Sequence, residues 1–302
     1  MSLRDGAPAG NPPEPEPTHH RVAVFGGVYS NHLALEAALA DTGDRGVDAV
    51  YCLGDLGAFG PHPDRTVEIL RERGIPVLRG NYDDSLARGL DDCQCGYTDP
   101  RDNHYARLSY RYTFTRTSPE HRAWMGTLPG QIRFRLGGHR VLCCHGSPRR
   151  TNEFLWESTT PTHFLAALAR DNQADIVLGT HTGIHWSRGW GGWEESGGTG
   201  SADEAWPPVP PADRPGLHVN VGALGRPAND GRTDVWYTLL EASEDGGRPT
   251  VRFVPVSYDH ERLAREMRDE DLPEEFVETI RTGWWTTCLE ILPGKERARG
   301  RH

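Results

Sequence analysis

Four residues of this sequence are placed to share one cation. Asp55, Asn81, His145 and His181 each follow closely on a short apolar run, namely Ala49 to Leu53, Pro76 to Leu78, Val141 to Cys144 and Asp175 to Leu178. Apolar runs of that length, bounded by Gly or polar residues, read as buried strands. The C-terminal edge of such strands is where open α/β sheets bind ligands. One carboxylate, one amide and two imidazoles meeting there would form a mixed oxygen and nitrogen donor set, better suited to Mn, Zn or Fe than to Ca or Mg. Taken singly, each residue has an ordinary explanation. Asp or Asn after Gly is common in turns, and one His is commonly a satisfied core or surface group. The same placement at four strand ends is what carries the reading.

The elements that would position these residues follow from the pattern along the chain. Arg21 to Phe25 reads as a buried strand ending in Gly26-Gly27. Leu33 to Leu39 has helical spacing behind a candidate N-cap, Asn31, and a helix from Pro63 to Arg73 starts on proline. With the strands at 49–53 and 76–78 and a turn at Gly80-Asn81, this is a strand–helix alternation, the mark of a layered α/β fold. Helices are expected over 103–115, 119–128 and 161–169, a hairpin over 132–136 and 141–144, and strands at 175–178, 217–221, 234–240 and 250–256. Residues 1–18, rich in Pro, Gly and Glu, read as a disordered tail. Residues 19–259 read as the main domain, interrupted by a Gly/Trp/Pro-rich loop at 187–215. Residues 260–302 read as a helical extension with a basic tail. Its apolar island at Trp284-Trp285 suggests an interface for a homo-oligomer.

Composition narrows the function. The chain has 302 residues and a formal net charge of −10, which disfavours a nucleic-acid partner. No apolar run approaches the roughly 18 residues of a membrane span, and the start lacks the apolar core of a secretory signal, so a cytoplasmic location is expected and no membrane partner. There the six cysteines should stay reduced. Cys93 and Cys95 then read as a pair of thiols in an ordered loop, with contact to a substrate or metal as the alternative.

Five segments in order resemble the calcineurin-like metallophosphoesterases, in particular their small bacterial phosphodiesterase and protein-phosphatase branch. They are Leu53-Gly-Asp-Leu-Gly-Ala-Phe-Gly-Pro61, Arg79-Gly-Asn-Tyr-Asp83, Cys144-His-Gly-Ser-Pro148, Gly179-Thr-His-Thr-Gly183 and Val219-Asn-Val-Gly-Ala-Leu-Gly-Arg-Pro227. The resemblance implies a four-layer α-β-β-α sandwich of two mixed sheets flanked by helices. It implies metal-dependent hydrolysis of a phosphate mono- or diester, with a small phosphorylated molecule or phosphopeptide as substrate. Asp55, Asn81, His145 and His181 fall on the ligand positions of one metal. The positions belonging only to the other metal carry Gly27, Tyr29 and Gly183, so the resemblance implies one ion per chain, or two if Tyr29 or His185 rebuilds the second site. His32 and His62 lie near the same edge.

Tyr82 stands where the family has a His that protonates the leaving group, beside Asn81. Arg150, with Arg101 and Arg149, is a candidate grip for phosphate oxygens. Trp186, Trp190 and Trp193 could form a lid or a connector. The altered first segment and Tyr82 also support a rival reading, a catalytically weak regulatory protein that binds a phosphate or nucleotide on the same fold.

Overall fold

The computed structural model describes residues 15–194 and 214–299. Its organisation starts from the period-two alternation of the strands. In β2 (Arg21–Phe25), Val22 and Val24 face one core while Ala23 and Phe25 face another. The same alternation recurs in β5 (His139–Cys143), where Val141 and Cys143 face the first core and Leu142 turns to a third. A strand buried on both faces must be covered on both, and this fixes the layers.

One sheet has four strands. β2 lies parallel to β3 (Ala49–Cys52) and antiparallel to β9 (Val235–Glu241), which pairs with β10 (Thr250–Val256). The other has six, in the order β1 (Thr18–His19), β4 (Ile132–Leu136), β5, β6 (Ile176–Gly179), β8 (Gly216–Val221) and β7 (His185–Trp190). It too is mixed, since β5, β6 and β8 run parallel while β4 and β7 pair antiparallel. The sheets face each other across a core that includes Leu53, Phe134, Leu178 and Val219.

The outer face of the four-stranded sheet is covered by α1 (His32–Asp44) and α2 (Pro63–Glu72), with Leu86, Tyr110 and Met125 from α3 (Asn81–Arg88), α4 (Pro100–Arg116) and α5 (Pro119–Thr127) in the same cluster. α6 (Thr162–Asp171) covers the six-stranded sheet, packing on Leu142 and Val177. This is the four-layer arrangement expected from the sequence.

Several expectations need correction. Residues 76–78 give only a single bridge, between Cys52 and Val77. The expected turn at Asn81 is the first turn of α3, where Asp83 closes a capping box on Gly80. Residues 187–190, expected as the start of the loop, belong to strand β7, because Trp186 and Trp190 bury against α6; residues 195–213 of that loop lie outside the described residues. Trp193 is buried between the sheets, so none of the three tryptophans forms a lid. The tail expected over 1–18 reaches too far, since Thr18 pairs with Arg135; residues 1–14 and the end of the basic tail, 300–302, lie outside the described residues.

The extension is helical, with α7 (His260–Asp269), α8 (Glu274–Thr282) and α9 (Gly294–Arg299). α7 and α8 pack on Leu33 and Phe59. Residues 285–292 then cross to Phe154, Trp156 and Ile184. The apolar face that suggested an oligomer interface is covered by the chain itself: Trp285 is buried and Trp284 lies against Gly231. Among the described residues no helix is long and apolar enough to cross a membrane.

Candidate metal centre

The edge where both sheets present their C-terminal strand ends collects the expected donors. Asp55 follows β3, His145 follows β5, His181 follows β6, and Asn81 opens α3. Single ligand atoms of Asp55, His145 and His181 lie within 4.8 Å of one another. His145 Nε2 is 3.2 Å from Asp55 Oδ2 and 3.3 Å from His181 Nδ1. Ligands bonded at ~2.0–2.2 Å around a tetrahedral ion stand roughly 3.3–3.6 Å apart, so the spacing matches a coordination shell.

The hydrogen bonds behind the donors decide which atoms face inward. His145 Nδ1 donates to the Leu53 carbonyl at 2.6 Å, and His181 Nε2 donates to the Cys95 carbonyl at 3.2 Å. Each ring thereby turns its other nitrogen toward the cluster as a lone pair, the usual support for a ligating histidine. Asn81 Nδ2 donates to the Cys93 carbonyl at 2.8 Å, leaving Oδ1 buried with no hydrogen-bond partner. Buried oxygens in that state are rare and call for an explanation. Acceptors converging in a buried space require a positive charge between them, either a proton or a metal ion. The titration directions agree. Burial lowers the His145 pKa, but Asp55 outweighs it and the net shift is upward. Burial alone would raise the Asp55 pKa, and His145 and His181 bring it below the ordinary value. Burial, then His145, lowers His181 to about 3. The residues present fit one cation.

Backbone strain marks the same place. Asp55 and His181 have φ of 54° and 69°, a left-handed conformation that L-residues adopt at a cost of about 1–3 kcal/mol. Asp83, which the sequence reading left without a role, holds the Asp55 turn. Its carboxylate accepts from the backbone N–H groups of Asp55, Leu56 and Gly80 at 2.8, 3.0 and 2.8 Å. Burial, then the charge of Asp55, pushes its pKa to about 6. Gly80 has no substitute, because a Cβ there would sit 2.2 Å from Asp55 Oδ1.

The positions of the second ion do not fit one. Neither Gly27 nor Gly183 offers a donor. The space beside Gly27 is filled by the Tyr29 ring, 2.4 Å from where a Cβ would stand, and Trp285 closes over Gly183 at 3.2 Å. Without a cation beside it the Tyr29 phenol stays neutral, since burial, then Asp55, drives its pKa up. His185 is no substitute either. Its ring stacks on Trp236 and Phe253 at 4.6 and 4.5 Å, because β7 turns it toward the other sheet. His32 and His62 meet Glu266 of the extension, with His62 Nε2 3.1 Å from its Oε2, and form a separate cluster.

Other expected roles also change. The Tyr82 hydroxyl is bonded to Ser109 at 3.0 Å, and burial drives its pKa up, which makes it a poor proton donor. Its backbone N–H instead donates to Asp55 Oδ1 at 3.1 Å. Arg150 is exposed, Arg149 pairs with Glu153, and Arg101 donates to Thr286. None of the three lines the cavities at Asp55 and His181. Cys93 and Cys95 are joined by a disulfide and are not free thiols; their segment carries the two carbonyls that orient Asn81 and His181. The arginine that does reach the site is Arg226, which the sequence reading passed over inside the block Val219 to Pro227. It lines one cavity with His181 and Tyr29.

A sequence model of the family described as calcineurin-like phosphoesterase matches residues 19–204. The chain is 25% identical over 267 residues to "Uncharacterized protein MJ0912" of Methanocaldococcus jannaschii, covering 87% of this chain and 98% of that protein. Among solved structures, a metallophosphoesterase from Sphaerobacter thermophilus is similar at 24% identity and a TM-score of 0.62, over 88% of this chain and 99% of the other. Hypothetical protein PH1004 from Pyrococcus horikoshii is similar at 21% identity and a TM-score of 0.66, with the same coverage. Both likenesses are in fold.

Proposed function

Since the chain belongs to the calcineurin-like phosphoesterase family, we propose that it is a phosphoesterase that works with a single metal ion held by Asp55, Asn81, His145 and His181. The observation that carries this reading is the buried, unpartnered Asn81 Oδ1 beside two imidazoles whose outer nitrogens are both tied to carbonyls. A bound cation supplies Lewis acidity toward a phosphoryl oxygen and acidifies water at neutral pH. The chain's own residues do the rest. Leu53 and Cys95 fix the imidazole tautomers, Asp83 holds the turn that presents Asp55, and the aromatic wall of Tyr29, Phe154 and Trp156 keeps bulk water away. The mixed donors favour Mn, Zn or Fe. The substrate in this reading is a small phosphate mono- or diester or a phosphopeptide.

The engaged hydroxyl of Tyr82 favours a second reading, a regulatory protein that binds a phosphate compound and turns it over little. One experiment separates them. Metal content per chain and turnover of an aryl phosphate are measured on wild type and His145→Ala, with Glu266→Gln keeping apart any ion held by the His32 cluster. About one ion per chain, lost in His145→Ala together with at least ~100-fold of turnover, supports the enzyme. One ion with no turnover, and stabilisation by a phosphate ligand, favours the binder. No ion in wild type removes the metal-dependent enzyme.

A further inference from the structure

Among the described residues, Arg226 is a buried charge with no carboxylate beside it. It is 4% exposed. Its guanidinium lies 4.1 Å from the centroid of Trp285 and 4.7 Å from that of Phe59. Both of its hydrogen bonds leave from Nη2, to the Thr287 carbonyl at 2.8 Å and the Thr287 hydroxyl at 3.4 Å. No carboxylate among the described residues pairs with it. A guanidinium has five N–H donors and stays charged at any ordinary pH. Burying such a charge is unfavourable unless an opposite charge meets it. The aromatic faces offset part of that cost, while Nε and Nη1 make no hydrogen bond within the described residues, and the side chain borders a cavity shared with His181.

That cavity is small, about 20 Å³, and is lined by Arg226, His181, Tyr29, Tyr97, Trp285 and Cys288. His181 has two faces: one nitrogen turns to Asp55 and His145, and the ring borders the Arg226 cavity. The cavity therefore adjoins the donor cluster on the side where Gly27 and Gly183 carry no donor.

We propose that Arg226 is the anion-binding group of the site, a fixed cation that pairs with the non-bridging oxygens of a phosphate ester where a second metal ion has no ligands. This rests on the phosphoesterase reading above and deepens it. The guanidinium fork matches two phosphate oxygens at once, and Thr287 together with the Trp285 and Phe59 rings holds its plane. Unlike an ion, this charge cannot dissociate or be chelated.

Calorimetric titration with inorganic phosphate tests the proposal, on chelator-treated and metal-loaded protein, for wild type, Arg226→Lys and Arg226→Met. Wild type should bind one phosphate per chain even without metal. Arg226→Met should bind at least tenfold more weakly, and Arg226→Lys should fall between, since it keeps the charge and loses the fork. Metal content should be the same in all three. Tryptophan fluorescence gives a second readout that does not need Arg226→Met to fold: phosphate should change the emission of wild type, and the change should shrink in Trp285→Phe to what Trp156, which lines the same cavity, contributes. Equal phosphate affinity in folded Arg226→Met, or no binding to metal-free wild type, overturns the proposal. Protein that takes metal and turns over an aryl phosphate with unaltered phosphate affinity in Arg226→Met would sink this inference and leave the phosphoesterase reading standing. Phosphate binding through Arg226 in a chain that takes no metal would do the reverse.

Discussion

The two sides of Asp55 are built on opposite physical plans. On one side lone pairs converge: His145, His181 and Asn81 are each turned inward by a hydrogen bond to a carbonyl behind them. On the other side nothing converges. A tyrosine ring fills the space at Gly27, an indole covers Gly183, and a guanidinium lies between two aromatic faces. The first side is under-satisfied unless a cation enters. The second is packed and already holds a positive charge. A site can therefore lose half of its donors without becoming a void, provided that larger side chains take up the volume and the charge.

Three substitutions separate the two sides. Trp285→Ala empties the packed side. Removing a buried indole costs about 3–5 kcal/mol of stability, read as a fall in the denaturant midpoint, while metal content stays at one per chain. A rise to two would mean that packing, and not missing ligands, keeps a second ion out. Asp83→Asn loosens the converging side without touching a donor. It leaves a backbone N–H facing an amide NH₂, and metal affinity should fall about 10–100-fold while phosphate affinity of the metal-free protein is unchanged. Equal losses in both would show that the two sides are not independent.

The smallest effect is expected at His185. Burial lowers its pKa from 6.5 to about 4, so the folded state holds the neutral ring. The unfolded chain takes up a proton first as pH falls. The stability due to the neutral ring is then complete above pH 6.5 and is lost as pH drops toward 4, at roughly 1 kcal/mol per unit. His185→Phe should flatten that slope in acid melts, over the background of His218, which burial lowers to about 3 in the same direction. Metal content should not move; a loss of metal would return His185 to the site.

The converging side was legible in the sequence because Asp55, His145 and His181 follow strand ends, which are announced by a local change from apolar to Gly and polar residues; Asn81 shows the same change after a single bridge, at the start of α3. Asp83 was within reach too. It stands three residues after Gly80, where a capping residue opens a helix, but α3 was read as a turn and the carboxylate had no role. The packed side was hidden for a different reason. Arg226 draws its meaning from Phe59, Trp285 and Thr287, and no local pattern in the chain announces contacts at such separations. The same holds for His185, whose side of β7 depends on pairing with β8. Arg150 misled because a cation beside a phosphate-binding block is only useful if it points inward, and that turn points it to solvent. Cys93 and Cys95 misled because their reduced state was inferred from an expected compartment and not from the loop itself.

Trp285 and Cys288 reach the site from the extension, long after its other parts in the order of synthesis. On the ribosome the N-terminal part of a chain emerges and folds first. Asp55, Asn81, His145, His181 and Arg226 are all polymerised before the segment that roofs them. The wall that Trp285 gives the pocket depends on residues 285–292 packing against Phe154 and Trp156. In the order of synthesis the donors therefore come first and their roof last.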